Sequence, residues 1–218
     1  MTTISSVPKG RERLSPLLSK RFQGQALQSS LKFIGADAYL TKDPDKLKEA
    51  DKIILPGVGA FEDAAQKLKK SGLCDSILEE TAKGKPLLGI CLGMQMLFER
   101  SFEYGEHKGL GLIGGDICPI APDVTAGLKI PHIGWNSLHF PEGKEKSKIY
   151  KYVNDGDCVY FVHSYYGKNC DEYISATTEY GGTLTASVEN GNVYGTQFHP
   201  EKSGKVGLSI IKAFCELE

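Results

Sequence analysis

The chain has 218 residues, 40% hydrophobic and 24% charged, which are the proportions of a globular protein and not of a disordered one. Its 26 basic residues against 27 acidic ones leave a formal charge of −1, which excludes the broad basic field of a nucleic-acid binder. No apolar run approaches the roughly 18–20 residues of a membrane span or the h-region of a signal peptide, and the six cysteines form no CxxC pair. A soluble, cytoplasmic protein with no metal and no cofactor is expected.

The first two dozen residues are basic, with Lys9, Arg11, Arg13, Lys20 and Arg21 against Glu12 alone, and carry no strand pattern. Leu27, Leu31 and Ile34 then recur at helical spacing, and Gly35 supplies a stop. Asp43-Pro44 suits an N-cap and first helical residue, opening a short helix to Ala50. Ile53-Ile54-Leu55, ended by Pro56-Gly57, reads as a strand buried on both faces. Helices are predicted over Phe61–Lys70, Asp75–Lys83 and Leu92–Glu99, with a second buried strand at Pro86–Ile90. This alternation predicts a parallel sheet with helical crossovers over residues 26–100. From Gly109 onward short strands are predicted near Ile117–Ile120, Val159–His163, Tyr173–Thr178, Leu184–Val188 and Val193–Phe198. A closing helix over Ser203–Glu216 turns Val206, Ile210 and Phe214 toward the core. The fold class is α/β: a three-layer open sheet, helices on both faces, with a mixed, β-rich second half. One domain is expected over residues 25–218, after an atypical segment, 1–24, that is a candidate for disorder.

The sharpest chemical signal is Gly89-Ile90-Cys91-Leu92-Gly93, placed between a buried strand and a helix. Small residues flank a nucleophile where the turn is tight and other backbone must come close. A cysteine at a helix N-terminus also gains thiolate character there. A thiolate nucleophile needs an imidazole to protonate the leaving group, and a third group to hold that imidazole. Of the five histidines only His199 precedes a carboxylate in a rigid setting, His199-Pro200-Glu201, where Pro200 ends a strand. Pro56-Gly57-Val58-Gly59-Ala60 follows the other buried strand, and its glycines leave N–H groups able to meet an oxyanion. All three elements end predicted strands, where open α/β sheets carry their sites.

These stretches resemble the class I glutamine amidotransferases. Within that family the chain is similar to the glutaminase subunits of imidazole glycerol phosphate synthases. The likeness rests on Pro56–Phe61, Gly89–Gln95, Pro131-His132-Ile133-Gly134-Trp135-Asn136, Tyr160–Tyr165 and Tyr194–Ser203, and runs from about Leu27 to the C-terminus. It implies Cys91 as nucleophile, His199 as general acid/base and Glu201 as its orienter. It further implies an oxyanion hole from the backbone of Leu92 and, after a peptide rearrangement, of Val58. Gly59, Gln95, Glu103, Ser164 and Tyr165 would hold glutamine. His132, Trp135, Asn136, Tyr160 and Lys202 would face a separate cyclase subunit, a (β/α)₈ barrel, in a heterodimer. That barrel would take the ammonia and make imidazole glycerol phosphate and AICAR in histidine biosynthesis.

The chain departs from the family at its start, where members carry an apolar strand and an Asp-Tyr-Gly-x-Gly-Asn-type loop. Loss of a central strand would expose two ladder edges, destabilise the sheet and weaken coupling to the partner. Two other readings stay open: a free-standing cysteine amidase or γ-glutamyl hydrolase of the same fold, and a subunit catalytically impaired by the missing strand.

Overall fold

The structure, a computed structural model, describes residues 21–218, with side chains from Gln25 onward. The expected atypical segment, including the family's missing first strand, therefore lies almost wholly outside the described residues. Helix α1 spans Arg21–Phe33, starting six residues before Leu27, and it ends where Gly35 takes the positive φ of 82°. Asp43 caps α2 (Pro44–Lys48) as read from the sequence, accepting from the Asp45 amide at 3.0 Å.

Strands β1 (Ile53–Gly57) and β2 (Leu87–Cys91) pair in parallel, connected through α3 (Phe61–Lys70) and α4 (Leu73–Ala82). Alternation along them explains the three layers. Ile53, Leu55 and Leu87 pack to one side with Leu47 of α2, Phe61 and Leu68 of α3 and Ile77 of α4. Ile54, Leu88 and Ile90 pack to the other with Leu27 and Leu31 of α1. Both faces are dry, which is why the two runs are continuously apolar.

The predicted helix over Leu92–Glu99 does not form. One turn, α5 (Leu92–Gln95), gives way to β3 (Phe98–Ser101). Distant backbone pairs with this segment instead. Carbonyls of Met96, Leu97, Phe98 and Glu99 accept from amides within residues 109–113, and Phe98–Ser101 is extended between two ladders. Strand β3 pairs with β4 (His107–Lys108) and β5 (Ile113–Pro119), and β5 pairs with β8 (Tyr165–Lys168), forming a four-stranded sheet. A strand not predicted, β6 (His132–Ser137), pairs antiparallel with β7 (Cys158–His163).

The main sheet is completed by β9 (Ile174–Glu179), β10 (Thr183–Asn190) and β11 (Val193–Thr196), in the order β1-β2-β11-β10-β9 among the described residues. β11 runs parallel to β2, while β10 is antiparallel to both its neighbours. Helix α6 (Gly204–Cys215) closes the α1 side with fully buried Ile210 and Phe214, and Val206 packs at its margin. Among the described residues no helix is long and apolar enough to cross a membrane.

Two glycines of the β2–α5 turn are required by close approach. A Cβ on Gly93 would collide with the Leu55 carbonyl oxygen of β1, and one on Gly89 would lie 2.7 Å from the Met94 backbone. Gly93→Ala is therefore expected to destabilise the chain by about 1–3 kcal/mol, as over-packing does. Thermal unfolding of the variant beside the parent measures it, and an unchanged midpoint would refute the close contact.

Candidate active site

Three parallel strand ends converge at the site. β2 lies between β1 and β11, with Gly57 opposite Cys91 and Thr196 opposite Ile90. The chain leaves these strands as Val58-Gly59, Cys91-Leu92 and Gln197-Phe198-His199, so segments remote in sequence become neighbours. Cys91 holds φ 54° and ψ −114°, a left-handed conformation that a residue with a side chain adopts only at a cost of about 1–3 kcal/mol. This strained corner is what the Gly-x-Cys-x-Gly pattern predicts, and Cys91 lines the cavity beside it.

His199 is clasped into position by β7. Its amide donates to the Tyr160 carbonyl at 2.9 Å, and Ser203 Oγ donates to its own carbonyl at 2.7 Å. Nδ1 of the ring lies 2.9 Å from Glu201 Oε1, with both side chains 1% exposed. Burial disfavours the protonated ring. The charge and hydrogen bond of Cys91, then those of Glu201, outweigh burial and push the imidazole up to about 10. The sulfur and the imidazole, 108 positions apart in the chain, are thus electrostatic partners. The one-turn helix α5 is too short for the dipole contribution read from the sequence.

A cavity of about 350 Å³ opens at the sulfur. Its walls include Val58, Gly59, Cys91, Leu92, Gln95, Glu103, Ser164, Tyr165, His199 and Lys202, so the nucleophile, imidazole, oxyanion and glutamine positions named above share one space. The Leu92 amide, first in its helix, has no acceptor within that helix. Glu103 is the one carboxylate of the lining, and its Oε2 accepts from the Phe61 amide at the start of α3. A larger cleft lies beside Lys146, Ser147, Asn192 and Glu216, but it contains neither cysteine nor histidine.

Gln95 is committed elsewhere in part. Its Nε2 donates to the Tyr165 carbonyl at 3.1 Å and to Gln197 Oε1 at 3.0 Å. Gln197, fully buried, in turn directs Nε2 at Cys91 Sγ, 3.8 Å away. Sequence reasoning assigned Gln197 no role. The signal available was its place two residues before His199, at the end of a strand.

Of the residues assigned to a partner face, Trp135 is 56% exposed and meets Tyr160 edge-on at 6.0 Å between ring centres. Lys202 is exposed, and Asn136 and Tyr160 are half-buried. His132 is fully buried and reaches the surface only through Asn136, 2.8 Å from its Nε2.

The family described as glutamine amidotransferase class-I matches residues 22–216. The imidazole glycerol phosphate synthase subunit HisH of Streptococcus gordonii is 50% identical over 183 residues, 84% of this chain and 86% of that one. The protein of the same name from Wolinella succinogenes is 47% identical over 84% of this chain and 89% of its own. Among solved structures, PurLQS from Thermotoga maritima superposes with a TM-score of 0.68 at 20% identity, covering 92% of this chain and 95% of that one. The glutaminase domain of Trypanosoma brucei CTPS gives 0.64 at 16% identity, with 94% of each covered. At those identities the structural likeness speaks for the fold. The family match over nearly the whole chain, together with the close relatives, establishes that the chain belongs to the class I glutamine amidotransferases.

Proposed function

We propose that this chain is the glutaminase subunit of an imidazole glycerol phosphate synthase, producing ammonia for a separate cyclase subunit in histidine biosynthesis. The observation that carries the reading is Cys91 electrostatically paired with a Glu201-held His199 at one cavity. It occurs in a chain 47–50% identical to proteins named imidazole glycerol phosphate synthase subunit HisH.

In the proposed reaction the Cys91 sulfur attacks the side-chain amide carbon of glutamine, and the carbonyl electron pair moves onto oxygen. Backbone N–H of Leu92, and of Val58 once its peptide turns, receive that oxyanion; one such donor is worth about 10²–10³ in rate. His199 gives its proton to the amide nitrogen, the C–N bond breaks, and ammonia leaves. The imidazole next takes a proton from water, whose oxygen attacks the thioester; the C–S bond breaks and glutamate departs. Glu103 suits the ammonium group of the substrate, with Gly59, Gln95, Ser164 and Tyr165 around its stem. Trp135, with Tyr160, Asn136 and Lys202, forms the face for the cyclase barrel, a half-exposed aromatic being the usual interface anchor.

Cys91→Ala is expected to abolish glutamine turnover while the complex with the cyclase still uses added ammonium salt. Surviving glutamine hydrolysis in that variant would remove the nucleophile assignment. Glutaminase activity that is low alone and rises with the cyclase supports the subunit reading, whereas partner-independent turnover supports a free-standing hydrolase.

The pH profile follows from the raised imidazole. Below about 10 the ring keeps its proton, so the alkaline limb of glutamine hydrolysis falls only near that pH. Glu201→Gln removes one of the charges that hold the proton. It should move that limb to lower pH and cost about 10²-fold or more in kcat; a limb that stays put would sink the orienting role. Trp135→Ala should weaken the cyclase complex about tenfold or more in Kd, by titration calorimetry.

A further inference from the structure

Two more imidazoles lie in line beside the site, and the proposed reaction uses neither. His132 on β6 and His163 on β7 sit opposite one another, with His132 Nδ1 3.1 Å from His163 Nε2. At the inner end His163 Nδ1 is 2.9 Å from the Tyr165 carbonyl oxygen. At the outer end His132 Nε2 is 2.8 Å from Asn136 Oδ1. Both ends are acceptors. The amide of Asn136 is set with oxygen inward because its Nδ2 donates to the Glu179 carbonyl at 2.8 Å. Three short links need three ring hydrogens, and two neutral imidazoles carry two.

A third hydrogen would make one ring cationic, and the surroundings oppose that. Burial holds His163 down at about 3, with the charges of His132 and His199 adding to it, and burial also lowers His132. Phe161 of β7 and Tyr180, after β9, stack on His132, Tyr180 at 4.0 Å between ring centres. The Glu179 carboxylate of β9 is taken by Thr183. The pair is therefore one hydrogen short.

We propose that His132 and His163 form a positioning pair locked in one tautomer, with the missing hydrogen at its surface end. Both rings carry hydrogen on Nδ1. His163 donates to Tyr165, His132 donates to His163, and the Asn136 amide is left to serve either His132 or the Glu179 carbonyl. The shortfall falls at the outer link because Glu179 is exposed and water can reach it, whereas His163, at the cavity wall, is only 5% exposed. A donor brought to the Glu179 carbonyl from outside would let Asn136 turn its Nδ2 to His132 and complete every link. The inner end bears on the nucleophile: the Tyr165 carbonyl also accepts from Gln95, which holds Gln197, which reaches Cys91 Sγ. A hydrogen-bond state at the β6 surface is thereby connected to the wall of the cavity. The rate measurement below rests on the glutaminase reading; the tautomers do not.

The test is long-range ¹⁵N–¹H correlation of the full-length chain labelled at histidine ring nitrogens, at pH 7.5, with His132→Asn and His163→Asn for assignment. Both rings should show hydrogen on Nδ1 and a bare Nε2. Asn136→Asp places an acceptor with no donor against His132, so that ring should become doubly protonated. The glutaminase pH profile should gain an ionisation near neutrality, with KM for glutamine changed threefold or more. Hydrogen on His163 Nε2 in the parent, or a cationic ring in the parent at pH 7.5, overturns the proposal whether or not the variant folds. So does a folded Asn136→Asp protein whose His132 keeps its bare Nε2. The expected tautomers in a chain that turns over no glutamine even with the cyclase subunit present would uphold the pair and sink the glutaminase reading.

Discussion

Three adjacent strand ends, all pointing the same way, are the constraint on which the site depends. β2 is flanked by β1 and β11 in parallel, and each chain segment leaves the sheet at the same edge. The turn after β2 must then fit beneath the end of β1, where Gly93 lies against the Leu55 carbonyl and Gly89 against Met94. Only a backbone without Cβ passes there, and the tightness of that passage is what forces Cys91 into its left-handed conformation. Strain at Cys91 is therefore held by the hydrophobic layers on both faces of β2, not by the site itself.

Much of this was legible in the sequence, because the responsible signals are local. Continuous apolar runs marked β1 and β2, and the Asp43-Pro44 cap marked α2. Glycines bracketing Cys91 marked the elbow, and Pro200 marked the end of the strand before His199. What stayed hidden is non-local. Residues 92–99 have a helical pattern, yet the carbonyls of 96–99 pair with amides from 109–113, a partner that lies beyond the local pattern. The β6 strand was masked by Gly134 and the preceding Pro131, and its partner β7 lies more than twenty residues away. His132 was read as a surface group because nothing in its neighbours in sequence announces Tyr180 and His163 packed against it.

Electrostatics at the cysteine is decided by side chains more than by helix geometry. A single turn of helix aligns too few peptides to charge its N-terminus strongly, whereas an imidazolium bonded to a carboxylate is a full charge at contact. Burying such a pair is costly unless each member is bonded, and losing either partner leaves an uncompensated charge in a dry interior. Glu201 is consequently as much a condition for keeping His199 cationic as a guide to its orientation.

The sulfur is thus held between two unlike arms. One is charged, running from Cys91 through His199 to Glu201, and it sets who carries the proton. The other carries no formal charge, running through Gln197 and Gln95 to the Tyr165 carbonyl, where His163 also binds. An amide donor can orient a thiolate without altering the count of charges around it, so this second arm can transmit position without disturbing the acid–base chemistry of the first. A change of hydrogen bonding at the β6 face would therefore meet the neutral arm first, and leave the charges along the other arm in place.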